Sequence, residues 1–321
     1  MTISSGLTRD LVGRKVFVAG HRGLVGSSIV RRLAGESCEI ITASRSELDL
    51  RDQVATNAWI ADKKPDYVIV AAGTVGGIVA NDTRPAEFIY DNIAITSNVI
   101  HASYRAGVAK LLMLGSSCIY PKFAAQPINE DSLLTGALEP TNEWYAIAKI
   151  AALKMALAYR KQYGCDFISA MPSNLYGPGD NFDLTGSHVL PALIRKFHAG
   201  KVTGAPTVEV WGSGNVMREF LFVDDCADAT VFLLKNYSGD LHVNVGSSTD
   251  QTIREAAELV SDVVEYQGDI CFDTTKPDGT PRKLMDSSRL LGMGWCPQTD
   301  LRDGLSKTYQ WALAHGVLDA A

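Results

Sequence analysis

The chain runs to 321 residues, 46% of them hydrophobic, with 30 Lys and Arg against 36 Asp and Glu and a formal net charge of −6. That much apolar material can fill one large core or two unequal ones. An acidic balance excludes general attraction to nucleic acid or anionic lipid, so neither partner is expected and any phosphate must be bound locally. The opening stretch MTISSGLTRDLVGRK lacks the apolar core of a signal peptide, and no run reaches the roughly 20 apolar residues that span a bilayer, which predicts a cytoplasmic protein without membrane contact. Cys38, Cys118, Cys165, Cys226, Cys271 and Cys296 stand singly, with no CxxC pair and no zinc-type histidine spacing, so neither a disulfide framework nor a metal is expected.

From Lys15 to about Ala170 an apolar strand, a turn and a helix-length segment recur. KVFVAG, CEIITAS, DYVIVAAG, KLLMLGSS and CDFISAMP read as strands, and residues 24–34, 85–106 and 143–163 as helices. Continuous Val, Ile and Leu runs suit strands buried on both faces, so the expected fold is α/β, a Rossmann-type doubly wound parallel sheet. Beyond Pro172 the texture changes to Gly and Pro punctuation (YGPGDNF, AGKVTGAP, WGSGN, KPDGTPRK), interrupted by the strand-then-helix stretch EFLFVDDCADATVFLLKN. This predicts a division into residues 1–172, mainly cofactor-binding, and 173–321, mainly a smaller mixed α/β substrate domain with some segments returning to the large sheet.

VFVAGHRGLVGSSIV places Gly20, Gly23 and Gly26 between a strand and a helix. Glycines let a backbone approach a pyrophosphate, and a helix start supplies free N–H donors and partial positive charge. An acid commonly ends the second strand of an NAD site, where it binds the ribose 2′-hydroxyl. Here IITASRSELDL presents Ser44 and Arg45, and Arg22 stands inside the glycine loop. Two guanidinium groups around a 2′-phosphate make strong charge-assisted contacts, so the expected cofactor is NADP(H), with Asp49 reaching its adenine end.

Farther on, NEWYAIAKI gives Tyr145 and Lys149, four residues apart and so on one helix face. A free tyrosine, with a pKa of about 10, exchanges protons poorly near neutrality; a neighbouring ammonium and a cofactor's positive ring are expected to bring it down. In LMLGSSCIYP, Ser116 and Ser117 close the fourth strand and Cys118 follows. Inverting a carbon beside a ketone needs a base on one face and an acid on the other, for which a thiolate and an imidazolium are suitable. Residue types alone leave Cys118 open as a buried thiol, and His188, in TGSHVLPAL, as a helix-start histidine.

The glycine motif, the serine-ended strand and the Tyr-Lys pair, in this order, resemble the extended short-chain dehydrogenase/reductase family. AGHRGLVGS, VGGIVAN, LGSSCIYP, EPTNEWYAIAK, MPSNLYGPGDNFD, SHVLPALIRKFH, VWGSGNVMREFLFVDD and PDGTPRKLMD, spread over about residues 15 to 315, are similar to its epimerase-reductases of GDP-4-keto-6-deoxymannose. The resemblance implies an NADPH-dependent 3,5-epimerisation and 4-keto reduction giving GDP-L-fucose. Ser116 would hold the keto oxygen, Cys118 would be the base, His188 the acid and Tyr145 the proton donor, while Lys149 would orient the cofactor. Leu50, Leu114, Pro172, Asn174, Leu175 and His188 would join the cofactor's surroundings.

For the GDP group, Trp211 offers a stacking face, while Arg218, Lys196 and the loop holding Asp278, Arg282 and Lys283 offer charge and a base contact; Asn174 would stand at the carboxyl edge of the sheet. Residue types alone favour ordinary surface charges and a core Trp, and it is the resemblance that selects Trp211, Arg218, Lys196 and Asp278. It also implies a homodimer whose helices 85–106 and 143–163 form a four-helix bundle. Two other readings stand beside it. One is a GDP-L-colitose synthase acting on the 3,6-dideoxy ketosugar. The other is a non-catalytic NADP sensor, which would be expected to lose Tyr145 or Lys149.

Overall fold

Runs such as Leu111 to Leu114 have no polar face to offer water, and the chain buries them in the middle of one sheet. The computed structural model describes residues 8–184, 186–276 and 278–319. Its first half is β1 (Lys15–Ala19), α1 (Leu24–Leu33), β2 (Glu39–Ile41), α2 (Gln53–Lys63), β3 (Tyr67–Val70), α3 (Ile78–Thr83), α4 (Pro85–Arg105), β4 (Lys110–Leu114), α5 (Glu143–Tyr163) and β5 (Phe167–Pro172). Then come β6 (Asn174–Tyr176), α6 (Val189–Thr203), β7 (Thr207–Trp211), β8 (Met217–Phe222), α7 (Val223–Asn236) and β9 (Val243–Val245). The remainder is β10 (Asp250–Thr252), α8 (Ile253–Val264), β11 (Asp269–Asp273), β12 (Arg282–Lys283), α9 (Ser288–Gly292) and α10 (Leu301–Ala314).

The central sheet is parallel throughout, in the order β2-β1-β3-β4-β5-β9. Every residue of β3, β4 and β5 is buried, the apolar runs together with Lys110 and Ser169. One face is closed by α1 and α7 through Ile29, Leu33, Val231 and Leu234. The other is closed by α2, α4 and α5 through Ile60, Val99, Ile100 and Leu153. The chain reverses its direction of travel across the sheet at β1, which opens a crevice at the carboxyl ends of β1 and β3.

The second half builds a smaller mixed layer. β8 pairs antiparallel with β10 and parallel with β6 and β12, and β7 pairs with β11. Its own core joins Ile194 and Phe197 of α6, Val260 of α8 and Leu305 of α10. Glu219 of β8, fully buried, joins the parts: its Oε1 accepts from Ser248 N at 2.8 Å and its Oε2 from Met285 N at 3.0 Å, while its carbonyl accepts from Asn174 Nδ2 at 2.7 Å.

The segment after β4, which carries the candidate catalytic residues, is tied to β9 by a buried polar network. The Tyr120 hydroxyl donates to Asn244 Oδ1 and lies 2.9 Å from His242 Nε2. Asn244 Nδ2 in turn donates to Ile128 O at 3.0 Å and to Asp286 O at 3.1 Å. Burial, with Arg289 nearby, pushes His242 down to about 4, so it is neutral in the fold, whereas an unfolded histidine titrates near 6.5. A depressed folded pKa gives stability that is present above 6.5 and lost as the pH falls towards 4. Between pH 7 and pH 4, His242→Asn should therefore lose less unfolding free energy than the wild type, by on the order of 2–3 kcal/mol in urea titrations. Equal losses would contradict a neutral buried imidazole.

Candidate active site

β1 delivers the chain to Gly20, whose φ of +88° is a left-handed conformation that favours glycine. A Cβ there would stand 2.6 Å from Ala72 N, beyond β3, and a Cβ on Gly26 would stand 2.0 Å from Gly20 O. These two glycines let loop and helix close. Gly23 differs, because a Cβ would meet only Gly20 O, at 3.6 Å. As the N-cap of α1 it offers no side chain, so the first N–H groups of the helix remain available to an anion.

Arg22 and Arg45 flank this opening, exposed and without a hydrogen bond or ion pair among the described residues. After the hydrogen bonds from Ser44, the charge of Arg22 helps keep Glu47 below the usual carboxylate range. Ser44 itself is buried, its hydroxyl donating to Glu47 Oε2 at 2.6 Å, which makes it a former of the turn. Asp49 is gripped by Arg51, Nη2 to Oδ2 at 2.7 Å, and held down to about 2 by that contact first and by Arg45 among others. Its expected reach to an adenine is confined to the lone pairs Arg51 leaves. Leu50 contributes its carbonyl to Asn98 Nδ2 at 2.9 Å. The imidazole Nδ1 of His21, inside the glycine loop, is buried without a partner. An open helix start, two unpaired guanidinium groups and an orphaned ring nitrogen fit a dinucleotide that carries one further phosphate.

The second cluster forms where β4 ends. Ser116 is extended and caps a single helical turn at 117–119, its Oγ accepting from Cys118 N at 3.3 Å. Its side chain is close enough to the Tyr145 hydroxyl to favour the ionised phenol slightly. Tyr145 and Lys149 lie one turn apart on α5. Lys149 is buried, its Nζ donating to Leu114 O at 3.0 Å and standing 5.6 Å from the centre of the Tyr145 ring. Burial pushes the Lys149 ammonium down to about 8. The expected lowering of Tyr145 is not what these residues produce. Burial, and then the charge of Cys118, raise it above its ordinary value, and the nearby Ser116 side chain offsets only part of that. The Lys149 ammonium serves a strand carbonyl and the ring face, and burial leaves Tyr145 a phenol near neutrality.

Cys118 Sγ accepts from Asn142 Nδ2 at 3.5 Å and from Lys283 Nζ at 3.7 Å, and lines a cavity of about 50 Å³ with Ser117, Asn142, Thr280 and Lys283. His188 is the N-cap of α6. The backbone just before it docks on the loop after β3, where Gly77 N donates to Gly186 O at 3.2 Å. His188 is open to solvent but crowded by protein, which lowers its pKa, and its side chain makes no hydrogen bond among the described residues. Pro172, Asn174 and Leu175 follow at the end of β5 and in β6, with the Asn174 amide engaged by Glu219 O.

A third group gathers around β7 and β8. Trp211 is 54% exposed, with the ammoniums of Lys196 and Lys276 at 5.3 and 5.4 Å from its ring centre. Lys196 donates to Glu209 O at 2.9 Å, and Arg218 to Met217 O at 2.8 Å; burial lowers both pKa values. Asp278 accepts from Ser213 N at 2.7 Å and from Ser213 Oγ at 2.9 Å. It clasps the turn at Gly212, whose φ is +86°, so both of its carboxylate oxygens are already engaged. Arg282 is paired with Asp250 at 2.6 Å. Lys283, expected with the diphosphate charges, stands with its Nζ 3.7 Å from the sulfur of Cys118. Sequence reading missed Asn142 and Lys276. Both lie in stretches already singled out, EPTNEWY and KPDG, but nothing local marks their partners.

Residues 16–246 match the model of the NAD dependent epimerase/dehydratase family. The chain belongs to that family. Within the epimerase/dehydratase family it is similar to the GDP-L-fucose synthase of Sinorhizobium fredii, 59% identical over 300 residues that cover 94% of this chain and 96% of that protein. The GDP-L-colitose synthase of Yersinia pseudotuberculosis is 38% identical, covering 93% of this chain and 98% of its own. Among solved structures, a GDP-L-fucose synthetase from Naegleria fowleri bound to NADP has a TM-score of 0.92 at 28% identity, covering 98% of each chain.

The glycine geometry separates two substitutions. Gly26→Ala should lower the melting temperature and abolish NADPH binding, because its methyl has no room. Gly23→Ala should keep the melting temperature but weaken NADPH by about tenfold or more in a fluorescence titration, since its methyl meets only the ligand's space. Wild-type affinity in Gly23→Ala would move the phosphate site elsewhere.

Proposed function

We propose that the chain catalyses NADPH-dependent 3,5-epimerisation and 4-keto reduction of GDP-4-keto-6-deoxy-D-mannose to GDP-L-fucose. The observation that carries this is the gathering of Ser116, Cys118 and Tyr145 at the end of β4 over the buried ammonium of Lys149, beside a crevice fitted for a phosphorylated dinucleotide. The similarity to GDP-L-fucose synthases supports the substrate. Gly20, Gly23, Gly26 and the start of α1 would hold the pyrophosphate, Arg22 and Arg45 the 2′-phosphate, and Lys149 the adjoining ribose. When bound, NADPH supplies the hydride that reduces carbon 4.

Carbons 3 and 5 both neighbour the 4-ketone, so the C–H electron pair left by a departing proton can move into an enolate. The Cys118 thiolate takes that proton and becomes a thiol. The Ser116 and Tyr145 hydroxyls hydrogen-bond the enolate oxygen, where the charge develops. His188, as imidazolium, returns a proton to the opposite face. Its lowered pKa makes it mainly neutral at pH 7, so the fraction able to give a proton grows as the pH falls. At the reduction step the phenol of Tyr145 donates its proton to the carbon-4 oxygen. Trp211, Lys196 and Arg218, joined by Lys276, would bind the GDP group, with Asp278 fixing the turn beside them.

The same reading assigns residues 1–172 mainly to the cofactor and 173–321 mainly to the nucleotide sugar, in a cytoplasmic enzyme. It also takes a homodimer through α4 and α5, which pack side by side and leave Tyr90, Ile93 and Ile147 exposed. Among the described residues no helix is long and apolar enough to cross a membrane.

Purified protein should oxidise NADPH when given GDP-4-keto-6-deoxymannose, and Tyr145→Phe should lower kcat by roughly a hundredfold or more. Oxidation confined to the 3-deoxy analogue would point to the colitose-forming reaction. If neither sugar consumes NADPH, the proposal fails.

A further inference from the structure

β12 is only two residues long, yet it is held on every side. It pairs with β8 so that Lys283 stands in register with Arg218. The two residues after Lys283 are clamped, Leu284 N donating to Gln126 Oε1 at 2.8 Å and Met285 N to Glu219 Oε2 at 3.0 Å. Ile128 N donates back to Leu284 O at 2.8 Å. A lysine on a backbone so fixed has little freedom in where its ammonium goes. Its Nζ lies 3.7 Å from Cys118 Sγ.

The other cations that line the cavity at this sulfur are paired with carboxylates. Lys122 is paired with Glu139 at 2.7 Å and Arg282 with Asp250 at 2.6 Å, and both cations line the same cavity. The ammonium of Lys149 attracts the charge of Cys118 but donates to Leu114 O, and burial keeps Tyr145 a phenol. Lys283 has no carboxylate partner among the described residues. Asn142 supplies a second donor to the sulfur, at 3.5 Å.

We propose that Lys283, with Asn142, is the positioning residue that keeps Cys118 as a thiolate and aims it at the sugar. This rests on the reading in which Cys118 is the base. Proton abstraction needs the thiolate, and a cation within about 4–6 Å favours the charged form. The strand that lies beside Arg218 thereby completes the base on the central sheet, so the nucleotide-binding edge and the proton-abstracting group are set by one piece of backbone.

The test compares wild type, Lys283→Met and Lys283→Arg in two measurements. The first is the pH dependence of solvent deuterium exchange into GDP-4-keto-6-deoxymannose. The second is the rate at which iodoacetamide alkylates Cys118, read by mass spectrometry on the peptide spanning residues 111–122, in which Cys118 is the sole cysteine. In Lys283→Met the acidic limb of the exchange rate should move up by about one pH unit or more. Alkylation at pH 7 should slow by roughly tenfold, with KM for the sugar nucleotide changed by less than about threefold. Lys283→Arg should restore most of both. NADPH binding checks that each variant is folded, and Lys283→Gln replaces Lys283→Met if the latter is not. A raised KM with unchanged pH limb and alkylation rate would make Lys283 a phosphate ligand and overturn the inference. If wild type itself shows no exchange, the proposed function fails; the alkylation comparison then still decides whether Lys283 acts on Cys118.

Discussion

The position of the Lys149 ammonium is the constraint from which the rest follows. An ammonium taken out of water must find donors' partners inside, and here it finds the last carbonyl of β4, Leu114 O, at 3.0 Å. That contact fixes the first half of α5 over the end of β4. Tyr145, one turn before Lys149, then falls beside Ser116, and Cys118 follows two residues on. Space for the ammonium is kept by Gly73, where a Cβ would stand 2.6 Å from Asn92 Oδ1 and 3.7 Å from Lys149 Nζ. The same burial that holds Lys149 in place also brings its pKa down to about 8, close to the range in which proton transfer is efficient.

The second half of the chain is brought to this point by β8. Successive residues of a strand face opposite ways. Glu219 goes inward and ties the segments at Ser248 and Met285 to β8, while Arg218 next to it approaches the Asp278 loop. Burial raises Glu219 to about 7, with the backbone N–H donors pulling the other way. The consequence is a smaller layer whose edge, carrying Lys283, is held against the strand end that carries Cys118.

The sheet was legible because β3, β4 and β5 are apolar runs broken only by Lys110 and Ser169, the pattern a strand buried on both faces leaves. The glycine loop and the Tyr-Lys pair were legible because their geometry is local, within seven and five residues of chain. What was not legible depends on contacts between distant residues. Lys283 meets Cys118 across 165 positions, and Asp278 meets Ser213 across 65. Tyr145 shows the same dependence: spacing places an ammonium nearby, but only packing decides that it serves Leu114 O and that, among the protein groups, burial prevails. The grip of Arg51 on Asp49, only two residues away, was not marked by any pattern either.

The central claim is that a single thiol serves both inversions, and mass analysis of the product formed in deuterated water tests it most directly. The account predicts deuterium at both carbon 3 and carbon 5, with incorporation at both suppressed together in Cys118→Ser. Exchange at either carbon that continues at the wild-type rate in Cys118→Ser would contradict it.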